Sequence, residues 1–240
     1  MDQCNLEQKC EDKKHKKYID DSTLTSTTEV TTSGHLSQHK IDKVSDSNKL
    51  FFDNFPLAAS ANNEMYLKNI KQYKVQVYED CNKKFTILDM FSQLIITRAI
   101  IFVNTVEIAD ELKNILMDNN YQVGVIHNEM NKDDSEEVLT KFKLSRIKYL
   151  ILTDGIFGNI DVHDLNIVIN YDMASDLETY IHRIKKSGIY NSHGIAISFE
   201  THFDDYKFSN LKKCNITLPA LPVLEEINQY LSKTVMTDQL

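Results

Sequence analysis

His182, Arg183, Lys185 and Lys186 fall within five positions of the stretch YIHRIKKSGIYNSHGIAI, residues 180–197, the densest concentration of chemistry in the chain. Where a helix ends in several cations beside a strand, a phosphate or a carboxylate finds charge and hydrogen-bond donors together. The same residues also describe a solvated basic helix end. Two other groupings lead nowhere. His127 and Glu129 stand two apart with no third convergent ligand, so no metal site is expected. Cys4, Cys10, Cys81 and Cys214 have no metal-ligand spacing except the loose first pair, which has no His or Cys partner pair nearby; neither Cys81 nor Cys214 has an evident base beside it, and all four read as reduced thiols.

The cations need a helix to carry them. Ser175 and Glu178 stand three apart before an apolar run, the pattern of a capping box, so the helix begins near Asp176. Leu177, Tyr180, Ile181 and Ile184 recur on one side, which leaves His182, Arg183, Lys185 and Lys186 to project elsewhere. Gly188 ends it, and the run from Gly194 to Phe199 reads as a buried strand. Upstream, Tyr73, Val75 and Val77 alternate with polar neighbours as a half-buried strand, and Phe85, Leu88, Phe91, Leu94 and Ile95 stripe a helix. The run from Ala99 to Val103 is a strand covered on both faces. Thr105 caps a helix bearing Ile108, Leu112, Ile115 and Leu116. Strands follow at 121–126, 149–152 and 167–169, with a helix over 131–142 that holds Asp133 and Asp134 in its first turn.

Such βαβ units give an α/β fold with a mostly parallel sheet between helices. Ligands then sit beyond the carboxyl ends of the strands. Those ends are Asn104-Thr105, His127 to Glu129, Thr153-Asp154, Asn170 to Asp172 and Ser198 to Glu200, and the 182–189 segment is expected on the same rim. A last helix with Val223, Leu224, Ile227 and Leu231 follows Pro219 and Pro222 and is expected to pack back on the sheet.

Composition bounds the rest. A 240-residue chain that is 42% apolar can bury a real core, and its formal charge of −8 argues against a general polyanion binder held by bulk attraction. Ten of the sixteen positions from Ser22 to Ser37 are Ser or Thr, so residues 1–64 are expected to be a disordered tail and 65–240 the folded domain. Neither a signal peptide nor a membrane span is expected, which points to the cytoplasm or the nucleus.

The ordered segments resemble the second RecA-like domain of DEAD-box RNA helicases, closest to the initiation factor 4A branch. The likeness is carried by the run from Ala99 to Thr105, by Ile126-His-Asn-Glu-Met, Leu150-Ile-Leu-Thr-Asp, Ile160-Asp-Val, Val168-Ile-Asn-Tyr-Asp, and Tyr180-Ile-His-Arg-Ile with Ser187-Gly188. It implies a three-layer RecA-like fold, one half of a clamp that closes on ATP and single-stranded RNA. By resemblance Asn104, Thr105, Thr153 and Asp154 lie on the RNA side. Asp161 then faces the ATP ribose, and His182, Arg183 and Lys186 line the cleft between domains.

The departures carry as much weight. Lys132 and Ser135 stand where the family has a Gln and an Arg, and Phe157-Gly158-Asn159 where it has Ala-Arg-Gly. Lys186 and Ile189 replace the two arginine fingers. An arginine finger is worth roughly a thousandfold or more in phosphoryl transfer, so little ATPase is expected. No G-x-x-x-x-G-K-[ST] loop and no Asp-Glu-Ala-Asp run occurs in these residues. ATP and Mg are expected only if a first helicase domain is supplied in trans. The expected partners are single-stranded RNA, a translation or RNA-processing scaffold protein, or that first domain; a helicase fragment and a non-RNA interaction protein are the alternatives.

Overall fold

The computed structural model describes residues 70–155, 165–188, 194–214 and 216–237. The expected tail over 1–64 lies outside them. Six strands form one sheet: β1 (Ile70–Gln76), β2 (Ala99–Val103), β3 (Val123–Ile126), β4 (Tyr149–Thr153), β5 (Ile167–Asn170) and β6 (Gly194–Glu200). Every pairing is parallel and the order is β1-β6-β5-β2-β4-β3. The helices are α1 (Lys83–Gln93), α2 (Val106–Asp118), α3 (Lys132–Lys143), α4 (Leu177–Lys185), α5 (Asp205–Lys213) and α6 (Leu224–Thr237). All residues of β2, β4, β5 and β6 are buried, as continuous apolar strands must be when helices cover both faces.

The period of two along each strand sorts the core into layers. Ala99, Ile101 and Val103 of β2, with Tyr149 and Ile151 of β4, meet α1, α2 and α6. Ile100, Phe102, Leu150 and Leu152 point the other way, against Phe142 of α3. Tyr180 and Ile184 of α4 pack with Phe208 and Leu211 of α5 on that second side. The last helix does pack back: Ile227 and Leu231 are buried, and Asn228 closes the end of α1 by donating to Gln93 O at 2.9 Å and accepting from Ile95 N at 2.8 Å. The outer edge of β1 is occupied as well, since Lys74 N–H donates to Pro219 O and Leu221 N–H to Lys74 O, both at 2.9 Å.

Several local expectations need correction. The buried line of α1 is Lys83, Ile87, Met90 and Phe91, continued by Leu94, whereas Phe85 is 49% and Ile95 66% exposed. A spacing of three fits the apolar letters, but spacings of three and four fit the helix. The strand expected from Tyr121 begins at Val123. The cap of α4 is Asp176, which accepts from Thr179 N–H at 2.8 Å; Ser175 donates to the Asp176 carboxylate at 2.7 Å instead of capping. Finally, only part of the 182–189 segment reaches the carboxyl rim, where the Arg183 side chain meets Asp154 and Asp172 O. The helix crosses the sheet face, and a Cβ on Gly194, the first residue of β6, would stand 2.5 Å from Ser187 O. Ser187 and its neighbours are therefore at the amino end of β6.

Candidate functional site at the carboxyl rim

Arg183 organises the rim from inside. It is fully buried, although sequence spacing puts it with the projecting cations. One turn earlier on the same line is Tyr180, also fully buried, so the true core face of α4 includes the arginine. Its Nε donates to Asp154 Oδ1 at 2.8 Å, and one terminal nitrogen completes a two-pronged contact with the same carboxylate while reaching Asn104 Oδ1 at 3.0 Å. The other terminal nitrogen donates to Asp172 O at 2.7 Å and to Asn170 Oδ1 at 3.4 Å. The guanidinium carbon stands 5.1 Å from the centroid of the Phe102 ring. A planar fork with five donors can tie three strand ends together; an ammonium could not.

A second buried charge supports the first. Lys83, 3% exposed, donates to Asp172 Oδ1 at 2.8 Å and pairs with Asp80 at 2.8 Å. Burial opposes its charge, but the two carboxylates outweigh burial and hold the ammonium above its ordinary value. Asp172 Oδ2 then accepts from Asn104 N–H at 3.0 Å, so the β2 and β5 ends are pinned from α1. Asn170 and Ser198, both fully buried, add a 3.0 Å bond between β5 and β6. Sequence reasoning missed Lys83 and this use of Asp172. The signal was a lysine on the apolar stripe, four residues before Ile87 and seven before Met90.

The residues expected on the RNA side gather at neighbouring strand ends but differ in what they offer. Both ends of the Asn104 side chain are engaged, Oδ1 with Arg183 and Nδ2 with Met173 O at 3.3 Å. Thr105 caps α2 by accepting from Ile108 N–H at 3.3 Å. Thr153 is 5% exposed and its hydroxyl has no hydrogen-bond partner. The Asp154 carboxylate, 33% exposed, belongs to Arg183. Among the cleft residues, His182 is half-buried; burial first, then the charges of Lys186 and Lys185, push its imidazole down to about 4 against the opposing pull of Asp154. It is therefore neutral near pH 7. Lys186 is partly buried at the end of α4, where a short 3-10 turn, Lys186–Gly188, follows. Asp161, Phe157 to Asn159 and Ile189 lie outside the described residues. Among the described residues no group of three or more His, Cys, Asp or Glu could hold a metal, and no helix is long and apolar enough to cross a membrane.

Comparison with known proteins shows what this chain is similar to. The helicase conserved C-terminal domain matches residues 82–190, from the 3-10 turn before α1 to just past α4. The ATP-dependent RNA helicase FAL1 of Eremothecium gossypii is 39% identical over 150 residues, which is 62% of this chain and 38% of that protein. The chain is similar to the DEAD-box helicases over their C-terminal domain. A probable initiation factor 4A of Trypanosoma cruzi is 39% identical over 138 residues, 58% of this chain and 34% of its own length. The chain thus spans little more than a third of the length of these helicases. The C-terminal domain of the DEAD-box protein Dbp5 of S. cerevisiae, bound to Gle1 and IP6, superposes with a TM-score of 0.59 at 25% identity, over 70% of this chain and 99% of that domain. The strand ends joined by Arg183 are those of β2, β4 and β5, the centre of the parallel sheet.

Proposed function

We propose that the chain is the second half of an RNA clamp that docks on a first helicase domain, or on a scaffold protein, without supplying arginine fingers of its own. One observation carries this. The whole sequence holds three arginines, Arg98, Arg146 and Arg183. Arg183 is buried in the rim network. Arg98 is held at the end of α3, donating to Lys143 O at 3.3 Å and Ser145 Oγ at 2.6 Å, and Arg146 is in the turn before β4. No arginine remains on α4 or after it to meet a terminal phosphate, and Lys186 offers a charge without the planar fork.

RNA contact through this half is weak, because the Asn104 side chain and the Asp154 carboxylate are already committed to Arg183. ATP and Mg belong to the assembled pair of domains. The protein works in the cytoplasm or the nucleus. A second reading, a subunit that completes an active ATPase, is favoured by the retained cation Lys186 and by Asp161.

RNA-stimulated ATP hydrolysis by a first helicase domain, with and without this chain, separates them. The expected result is no hydrolysis beyond that of the first domain alone, and a gain on the order of a hundredfold or more when Lys186→Arg and Ile189→Arg are combined. Hydrolysis by the unaltered pair at the rate of the double variant would overturn the proposal.

A further inference from the structure

Exposed aromatic side chains collect just beyond the carboxyl ends of β1 and β6. Among the described residues eight large apolar side chains are exposed, and three of them belong to this corner: Tyr78 at 83%, Phe203 at 61% and Tyr206 at 61%. In the strand order β1 and β6 lie across β5 from β2 and β4, so the corner is separate from the strand ends that carry Thr105 and Thr153.

The chain holds these rings in place. Val77 N–H donates to Glu200 O at 2.8 Å, which brings Tyr78 to the end of β6. His202 Nδ1 is 3.3 Å from Tyr78 O, and the centroids of the His202 and Phe203 rings stand 3.7 Å apart. The turn that carries both is fastened at its ends, since the Asp204 carboxylate accepts from the Thr201 hydroxyl at 2.9 Å and from Thr201 N–H at 3.3 Å. Tyr206 follows Phe203 by three residues as this turn passes into α5, a spacing that sets two side chains on one side. Asp204 and Phe208 take the buried positions, and the rings are left in water. Clustered apolar surface of this kind marks an interaction site, and rings fixed beforehand lose little freedom when a partner arrives.

Charge selects the partner. Residues 74–83 and 200–207, the two segments that form the corner, hold five carboxylates and three ammonium groups. Each ammonium group is taken: Lys74 by Glu200, Lys83 by Asp80 and Asp172, Lys207 by Asp204. Acid is what remains toward water, because Asp205 is exposed and the Asp80 side chain keeps 64% of its surface. Such a surface repels phosphate. A guanidinium can stack on aromatic rings and pair with a carboxylate at the same time.

We propose that Tyr78, His202, Phe203 and Tyr206, with the neighbouring carboxylates of Asp80 and Asp205, form a docking surface for an arginine-bearing segment of a partner protein. The inference rests on the docking part of the reading above and deepens it, by naming the surface and the chemistry that the surface takes.

The test measures binding of a fluorescent peptide of alternating arginine and glycine to the full chain by anisotropy, beside its lysine counterpart and an oligouridylate with the same label. The variants are Phe203→Ser combined with Tyr206→Ser, Asp205→Asn alone, and Leu144→Ser, which removes an exposed apolar side chain after α3. The arginine peptide is expected to bind the unaltered chain and Leu144→Ser alike, and more tightly than the lysine peptide. Loss of the two rings weakens it roughly fivefold to twentyfold, two exposed cation–π contacts, with the urea midpoint unchanged. Asp205→Asn weakens it about twofold to threefold at low salt, a difference that closes at high salt. No binding by the unaltered chain, or equal affinity with and without the rings, overturns the proposal. So does an oligouridylate that loses affinity with the rings while the peptide does not, which would make the corner a base-stacking surface. Each of these results leaves the reading of a clamp half without arginine fingers to its own hydrolysis assay, and hydrolysis there by the unaltered pair sinks that reading without changing peptide affinity.

Discussion

Replacing Arg183 by Met tests whether the rim is held by a buried strut or merely decorated with a cation. Methionine fills much of the same space beside Phe102 but leaves the Asp154 carboxylate, Asn104 Oδ1, Asn170 Oδ1 and Asp172 O without their donor. Removing one partner of a buried ion pair costs about 3–5 kcal/mol. Because the Asp154 side chain keeps 33% of its surface in water, the orphaned carboxylate can rehydrate in part, and the lower end applies. With a urea m-value of about 2 kcal/mol/M for a domain of this size, the unfolding midpoint followed by circular dichroism falls by about 1.5 M. Arg183→Lys retains charge without the fork and falls between the two. A midpoint for Arg183→Met within about 0.3 M of the unaltered chain would refute the strut, because a solvated surface group would give that result.

Two further outcomes are expected. The His182 imidazole, followed by NMR, titrates near 4, below its ordinary value, and moves upward when Lys186→Met removes one neighbouring charge; a midpoint of about 6.5 in the folded chain would contradict its burial. Since the folded chain then holds this proton less readily than the unfolded chain, His182 subtracts stability as pH falls from about 6.5 toward 4. Ile87→Ala, at a fully buried position, lowers stability by about 2–5 kcal/mol, whereas Phe85→Ala, half in water, lowers it by less than about 1 kcal/mol; the reverse order in urea unfolding would return α1 to the face that its aromatic spacing suggested.

The parallel sheet was legible because its strands announce themselves. Ala99 to Val103 and Tyr149 to Leu152 are unbroken apolar runs, and such runs alternating with helical spacing admit few topologies. The strand-end residues were legible for the same reason, since parallel strands bring all carboxyl ends to one rim. What escaped reading was tertiary. Arg183 looks like a surface cation until Asp154, 29 residues away, and Asn104, 79 away, are brought beside it by strand order. Lys83 is hidden in the same way by Asp172, 89 residues on. Arg and Lys are almost never fully buried unless paired, and the pairing is not local. α5 went unnoticed because only Phe208 and Leu211 are buried in a helix that is otherwise polar. At α4, two cap patterns overlapped by one residue, and the shorter reach of Asp176 to Thr179 N–H prevailed over Ser175.

The short link between Lys74 and residues 219–221 has a consequence for assembly. An open border strand is a template on which another polypeptide can lay itself down, with aggregation as the usual hazard. Here the middle of that border is already occupied by the chain's own later segment. A newcomer on this flank cannot lengthen the sheet at Lys74, and must recognise side chains instead of copying backbone.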